Sequence, residues 1–107
     1  MRILVIAEQD GKSVKVATLN TITAGLAINE ELDVVICGHN IDNLANEIAT
    51  VKGVQKVIQV DGPGLLYPLA EAYEKALLPL VGNYTHILAP ATTFGKNLMP
   101  RLAAKLD

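Results

Sequence analysis

The feature that most constrains this chain is a set of short apolar runs that alternate with helical segments. Four runs, at residues 3–7, 32–37, 54–60 and 84–89, have the composition of strands that are covered on both faces. A segment with apolar residues at helical spacing follows each run. Because alternating strands and helices need right-handed crossovers, they form a mostly parallel sheet. The sequence therefore predicts an α/β fold with helices packed on that sheet.

Differences in polarity between the four runs predict their order in the sheet. The first run is the most apolar and should be central, whereas Lys56 and Gln59 interrupt the third, as is typical of an edge strand. We therefore predict a Rossmann-like three-layer domain with a parallel sheet and strand order 3-2-1-4. A fifth strand normally lies beside the fourth in such a domain, so we expect it to be missing by truncation after Asp107.

Polar residues and glycines predict where the helices begin and end. Ser13 is a candidate cap for the first helix, and Asn40 or Asp42 for the second. Gly53 is expected in a left-handed conformation after the second helix.

Apolar residues at helical spacing predict the buried faces of the helices, and prolines predict their first turns. Pro68 and Pro100 are expected in or near the first turns of the third and fourth helices, where proline is tolerated. The buried face of the first helix is predicted to consist of Val16, Leu19, Ile22 and Leu26. That of the third helix is predicted to consist of Leu69, Tyr73, Leu77 and Leu80.

Size and composition exclude several classes of function. A chain of 107 residues with 50% hydrophobic residues fits one domain with a substantial core. The net charge is −2 and the nine basic residues are scattered, so we expect no nucleic acid partner. No apolar run reaches the ~20 residues that cross a bilayer, so we expect no membrane insertion. The single cysteine, Cys37, fits a reducing compartment, and we expect a cytoplasmic location and a buried thiol.

The titratable residues do not form a recognisable catalytic or metal-binding pattern. His39 lacks a second ligand at metal-binding spacing and is interpreted as a loop residue. His86 lies inside the fourth strand, where a neighbour should satisfy it, and Glu30 and Glu31 form a solvated helix end. We therefore predict no catalytic residue and no metal site.

The segment after the fourth strand is the candidate recognition loop. Ligands of open α/β sheets bind at the carboxyl ends of strands near the switch in strand order, here beside Glu8 and Gln9 of the first strand. The candidate loop and the following helix contribute Thr92, Thr93, Phe94, Gly95, Lys96 and Arg101. Three interpretations stay open: helix capping by Thr92 or Thr93 with a solvated lysine, docking to a partner or another domain, and nucleotide binding. The chain has neither a P-loop nor a GxGxxG fingerprint.

Several segments resemble one family. The first strand (ILVIAE, 3–8), the first helix (LNTITA, 19–24), the pair Cys37-Gly38 and the turn VKGVQKV (51–57) all have counterparts in electron transfer flavoprotein alpha subunits. The most specific match is YTHIL (84–88) followed by FGKNLMPRLAAKL (94–106). The resemblance to the amino-terminal domain of these subunits covers essentially the whole chain.

The resemblance implies a role within a larger electron carrier. Residues 1–107 would be the amino-terminal α/β domain, and the carboxyl-terminal FAD domain would be absent. The family's alpha subunit pairs with a beta subunit in an FAD-containing heterodimer that carries electrons from dehydrogenases to a membrane quinone reductase. The domain would serve as scaffold and beta-subunit interface, with no enzyme activity and no cofactor-binding residue of its own. FAD is then expected in the full-length heterodimer, and none on this chain alone.

A second class of protein remains as the alternative. A free-standing nucleotide-binding α/β domain of the universal-stress type would have a similar order of elements. That family usually carries a glycine-rich phosphate loop after its fourth strand, and residues 91–95 contain one glycine.

Overall fold

A computed structural model describes residues 1–67 and 69–106 of the chain, so the prediction for Pro68 lies outside the described residues. The elements are, in chain order, β1 (Ile3–Ile6), α1 (Val16–Ile28), β2 (Leu32–Gly38), α2 (Asp42–Ala49), β3 (Val54–Asp61), a 3-10 turn (Pro63–Leu65), α3 (Ala70–Val81), β4 (His86–Leu88) and α4 (Thr93–Leu106).

The described strands form one parallel sheet in the order β3-β2-β1-β4. The central strand β1 pairs on both sides, so that Leu4 lies opposite Asp33 of β2 and Ile87 of β4. All four residues of β1 are buried, whereas β3 has a mixed pattern of half-buried and exposed residues. The predicted α/β class, the parallel sheet and the strand order 3-2-1-4 are confirmed.

The core has two layers, one on each face of the sheet, because successive strand side chains point to opposite faces. Ile3 and Val5 of β1 pack in a cluster with buried residues of α1 and α2. Leu4 and Ile6 pack on the other face in a cluster with buried residues of α3 and α4. The domain therefore has three layers, with the sheet in the middle.

The two residues just before helix α2 are held by a side chain from a distant part of the sequence. Neither Asn40 nor Asp42 caps the helix, so the prediction was wrong. Instead, the carboxylate of Asp61, at the end of β3, accepts the backbone N–H of Asn40 (3.0 Å) and of Ile41 (3.1 Å). Asn40 adopts a left-handed conformation (φ 58°), which asparagine tolerates better than most residues. Gly53 is left-handed as predicted (φ 97°).

Helix α1 buries Ile22 as predicted and half-buries Leu26, but the rest of its buried side was not predicted. Its buried residues are Thr18, Ile22 and Gly25, whereas Val16 is 70% exposed. Ser13 does not cap the helix, which begins at Val16 after Lys15. The residues before the helix are instead held by Asp10, whose Oδ1 accepts the N–H of Ser13 at 2.8 Å. The part of the buried side that was not predicted is explained by Gly25, which lets the helix approach Leu32 of β2 more closely than a larger residue would allow.

The last two helices also differ from the predictions at their first turns. Helix α4 begins at Thr93, so that Pro100 lies in its interior instead of its first turn. Leu69 precedes α3 and is 62% exposed, although Tyr73 and Leu77 are buried as predicted. Helix α3 continues through Pro79 to Val81.

Strand β4 is shorter than predicted, three residues in place of six. His86 is its first residue and is exposed, and its Nδ1 lies 3.0 Å from the hydroxyl of Thr85, so that a neighbour satisfies it as predicted. Among the described residues, no helix is long and apolar enough to cross a membrane.

Candidate functional site

The candidate site lies where the carboxyl ends of β1 and β4 meet, on the two sides of the switch in strand order. Glu8 follows β1, and Thr92 follows β4 and directly precedes α4. The hydroxyl of Thr92 donates a hydrogen bond to Oε1 of Glu8 (2.9 Å). Two residues 84 positions apart in sequence therefore bridge the switch point.

Thr92 also caps helix α4. Its backbone oxygen accepts the N–H of Lys96 (2.8 Å), and its hydroxyl accepts a longer hydrogen bond from the N–H of Gly95 (3.4 Å). The geometry agrees with the capping interpretation of this segment.

Gly95 sets how closely α4 approaches the loop before it. A Cβ built on Gly95 would lie 1.9 Å from the backbone oxygen of Pro90, far closer than two non-bonded atoms can approach. Glycine is therefore required at this position by a backbone contact. No bound anion is needed to explain it.

Glu8 is fixed by its backbone as well as by its carboxylate. Its N–H donates to the hydroxyl of Thr18 (2.7 Å), and its backbone oxygen accepts from the same hydroxyl (3.1 Å). Thr18 is fully buried in α1, so this hydroxyl joins α1 to the end of β1. Sequence reasoning missed Thr18. The available signal was a threonine that falls on the sheet-facing side of an otherwise apolar helix.

Gln9, the next residue, links the end of β1 to the end of β2. Its Nε2 donates to the backbone oxygen of Cys37 (3.1 Å), which also accepts the hydroxyl of Tyr73 (2.9 Å). Burial raises the pKa of Tyr73 to about 12, with a further contribution from Cys37. Burial likewise raises the pKa of the Cys37 thiol to about 12, so that it stays protonated at neutral pH. Cys37 is therefore an inert core residue, as predicted.

The predicted recognition residues divide into two groups. Thr93 and Lys96 are exposed at the first turn of α4 and remain available to a partner. Phe94 instead packs edge-on against the ring of Tyr73, with centroids 5.5 Å apart, and contributes to the core. Arg101 contacts α3 rather than the loop: its Nε donates to Oε1 of the buried Glu74 (2.8 Å).

The remaining polar side chains of the described residues pair with neighbours at two other places. Nδ1 of His39 lies 3.5 Å from Oδ1 of Asp61, in the loop after β2 as predicted. At the opposite, amino-terminal edge of the sheet, the hydroxyl of Tyr84 donates to Asp33 (2.7 Å), and Arg2 lies over the Tyr84 ring (4.9 Å). Within residues 1–67 and 69–106, no three His, Cys, Asp or Glu side chains are grouped so that they could hold a metal ion.

The fold and the site together define a Rossmann-like α/β domain whose switch point is bridged by its own side chains. Comparison with known proteins identifies the family to which this domain belongs. The family model of the electron transfer flavoprotein domain matches residues 3–107. The chain therefore belongs to the electron transfer flavoprotein family, and the alpha-subunit resemblance found in its sequence is confirmed.

Similar proteins in several organisms carry the same name. The chain is 44% identical over its whole length to electron transfer flavoprotein subunit alpha of Pseudomonas aeruginosa. Over 97% of its length it is 38% identical to the mitochondrial subunit alpha of Dictyostelium discoideum, and over its whole length 36% identical to subunit alpha of Paracoccus denitrificans. It spans about a third of each: 35%, 32% and 35% of their lengths.

Proposed function

We propose that residues 1–107 serve as the amino-terminal scaffold domain of an electron transfer flavoprotein alpha subunit and as its interface with a beta subunit. The observation that carries the proposal is the 44% identity to a named alpha subunit along the entire chain. In this proposal FAD belongs to the heterodimer and is held by a carboxyl-terminal domain of the alpha subunit. The heterodimer carries electrons from dehydrogenases to a membrane quinone reductase.

The polar groups at the switch point support a role without chemistry of its own. Glu8, Gln9 and Thr92 are each paired with another group of the domain. All three residues are half-buried, so a substrate that took their place would have to replace these hydrogen bonds. We therefore propose that this domain is an electron-carrier component and not an enzyme.

The location is part of the same proposal. We propose the cytoplasm, as for a bacterial electron carrier, because the buried thiol of Cys37 needs no oxidising compartment. Some similar proteins are named as mitochondrial, so fractionation of the source cells is the direct check.

Association with a beta subunit tests the proposal. The natural polypeptide that carries residues 1–107 should form a 1:1 complex with the beta subunit of the same organism in size-exclusion chromatography with light scattering. Residues 1–107 alone should be colourless, with no flavin absorbance band, because the proposed FAD contacts lie in another domain. A stoichiometric yellow preparation of residues 1–107, or the absence of any complex, would contradict the proposal.

A further inference from the structure

The guanidinium of Arg101 is held in place by a buried carboxylate. Its Nε donates to Oε1 of Glu74 (2.8 Å), and the side chain of Glu74 is only 10% exposed. A guanidinium is planar, so a hydrogen bond at Nε to a fixed oxygen also restricts where its other two nitrogens point. Glu74 is therefore a positioning residue for Arg101.

The outer end of the same guanidinium is open. The side chain of Arg101 is 42% exposed, and its Nη2 lies 3.9 Å from Oε1 of Glu71, whose side chain is 82% exposed. Among the described residues, Nη1 has no hydrogen bond or ion pair. Because an exposed ion pair at this distance adds little to stability, the Nη1–Nη2 fork can exchange Glu71 for another carboxylate.

The fork opens into a groove between the start of α3 and the middle of α4. The groove has a volume of about 570 Å³. We call it the Arg101 groove, and it is lined by Leu69, Ala70, Glu71, Ala72, Lys75 and Arg101. Lys75 is exposed and forms no ion pair with any described residue. Two cations therefore face a single exposed carboxylate, that of Glu71.

One wall of the Arg101 groove is apolar. Leu69 is exposed there, and Leu66 and Tyr67 are exposed just before it in the chain. These three form the densest group of exposed large apolar side chains in residues 1–67 and 69–106. Single exposed apolar residues are ordinary, whereas a group of them beside an oriented arginine has the composition of a protein interface.

We propose that the Arg101 groove is a contact point for the beta subunit, which places there a segment that carries an Asp or Glu side chain next to a large apolar one. The inference rests on the proposed function and names one surface that performs it. The carboxylate would accept two parallel hydrogen bonds from the Nη1–Nη2 fork, and the charge of Lys75 would add to the attraction. The apolar neighbour would cover Leu69.

The composition of the groove favours a protein segment over a free anion. A phosphate would bring more negative charge toward Glu71 and would leave Leu69 exposed to water. A stable interface buries ~800 Å² on each partner, so the groove is one contact within a larger interface. Arginine is among the residues that contribute most at such contacts.

A different subunit fits the groove better than a second copy of this chain. A copy could present the exposed Ile28 together with the exposed Glu31, three positions further on. That segment does not line the groove, so the contact would be head-to-tail and would continue from one copy to the next. A subunit of another kind ends the contact after one pair, as the proposed 1:1 complex requires.

The test changes the neighbours of Arg101. Replacing Arg101 itself would leave the charge of Glu74 buried without a partner and would destabilise the fold. The measured quantity is the dissociation constant between the beta subunit and the natural polypeptide that carries residues 1–107, by titration calorimetry. An ionic strength of ~0.15 M is used, because it screens charges more than ~8 Å apart.

Two charge variants should act in opposite directions. Lys75→Glu should weaken binding at least ~10-fold, since it turns an attraction for the partner's carboxylate into a repulsion. Glu71→Gln should tighten binding at least ~3-fold, because it removes the carboxylate that competes for the fork. Damage to the fold would not strengthen binding, so the second result separates recognition from stability.

Leu69→Ser tests the apolar wall. Leu69 is the residue just before α3 and makes no side-chain cap, whereas serine is a good capping residue, so the helix should be at least as stable. Binding should weaken at least ~5-fold through the lost apolar contact.

Lys52→Glu is the matched control for charge. It makes the same reversal at an exposed position before β3, at the opposite, amino-terminal end of the sheet. The dissociation constant should stay within ~2-fold of the wild-type value.

The outcomes separate the groove from the proposed function. Weaker binding in Lys75→Glu and Leu69→Ser, with tighter binding in Glu71→Gln, supports the inference. If all variants bind like the wild type, or if Lys52→Glu weakens binding as much as Lys75→Glu, the groove is wrong and the proposed function stands. If the wild type does not bind the beta subunit, both are overturned. Self-association that Lys75→Glu abolishes, with unchanged beta-subunit binding, would assign the groove to a second copy and also overturn the inference.

Discussion

At the scale of single residues, Asp61 connects two elements that are 20 positions apart in sequence. It accepts the N–H groups of Asn40 and Ile41, and these hydrogen bonds, first that of Asn40, hold the pKa of its carboxyl below the ordinary value. A pKa that is lower in the folded state stabilises the fold above the unfolded-state value, and this stabilisation is lost as pH falls through the folded-state value.

Asp61→Asn should therefore change the pH dependence of stability. The melting temperature of the wild type should fall as the pH is lowered from about 6 to below ~3.9, the ordinary pKa of aspartate. The variant should melt lower than the wild type at pH ~6, and the difference should narrow on acidification as the wild-type carboxylate becomes protonated. Thermal unfolding followed by circular dichroism measures both curves. Parallel curves across this range would show that Asp61 contributes no pH-dependent stabilisation.

Gly95 is the residue at which the tightest backbone contact can be tested. Gly95→Ala places a methyl group against the backbone oxygen of Pro90, which cannot move as a side chain can, so α4 must shift outward. We expect a loss of at least ~2 kcal/mol in the free energy of unfolding, measured with urea.

Gly82→Ala is the matched control. Gly82 has a helical φ of −64° and no atom within 4 Å of the Cβ position. The same change there should be neutral or stabilising by about 0.4–1 kcal/mol, because it restricts the unfolded chain. Equal unfolding midpoints for the two variants would contradict the close approach of α4.

At the scale of elements, the amino terminus of α4 already has a negative partner. The unpaired N–H groups of a helix start favour an anion, and the carboxylate of Glu8 lies there, hydrogen-bonded to the capping hydroxyl of Thr92. A phosphate at this point would meet that carboxylate.

We therefore expect AMP, ATP and FAD to leave the amide resonances of Thr93, Gly95 and Lys96 unmoved. The beta subunit should shift some of them if the loop contributes to docking. Lys96→Ala should change the free energy of unfolding by no more than ~0.5 kcal/mol, as for other exposed positions. A saturable shift with micromolar AMP that Lys96→Ala weakens would favour the nucleotide-binding alternative of the universal-stress type.

The sequence predicted elements well where the cause is local, and poorly where it is distant. The apolar run of β1 and the polar interruptions at Lys56 and Gln59 directly report how far each strand is covered, so the strand order followed. The residues before α2 are held by Asp61, which reaches them only through the pairing of β2 with β3. The buried face of α1 depends on Gly25 and Thr18, since close approach to the sheet outweighs side-chain hydrophobicity there.

The sequence predicted which strand ends meet, but not which side chains of the following segment lie there. The carboxyl ends of β1 and β4 meet as the strand order requires, and Thr92 lies there with Glu8. Phe94 and Arg101 were grouped with the loop because they are close in sequence. Helical geometry turns Phe94 into the core and Arg101 toward Glu74.

At the scale of the whole molecule, β4 is an edge strand in the described part of the chain. His86 donates its N–H to the backbone oxygen of Arg2 (3.1 Å), and since successive N–H groups of a strand point to opposite sides, the N–H of Ile87 points away from β1. Unpaired ladder groups of this kind invite pairing with another strand.

We expect residues 1–107 to self-associate through this edge at high concentration. In hydrogen exchange, the amide of Ile87 should exchange rapidly in dilute solution and become protected as the chain associates. The amide of His86 should be the more protected of the two at low concentration. A chain that remains monomeric at millimolar concentration would contradict this expectation.

The contact of Asp61 with the two residues before α2 also has a consequence for how the chain folds. An isolated helix of eight residues is too short to persist in water, because nucleation is costly. The acceptor for the N–H groups of Asn40 and Ile41, just before the helix, is not in place until β3 has paired with β2 and brought Asp61 beside Gly38. Residues 32–61 should therefore form and open as one kinetic unit, in which the entry into the crossover helix is fixed only by the strand that follows it.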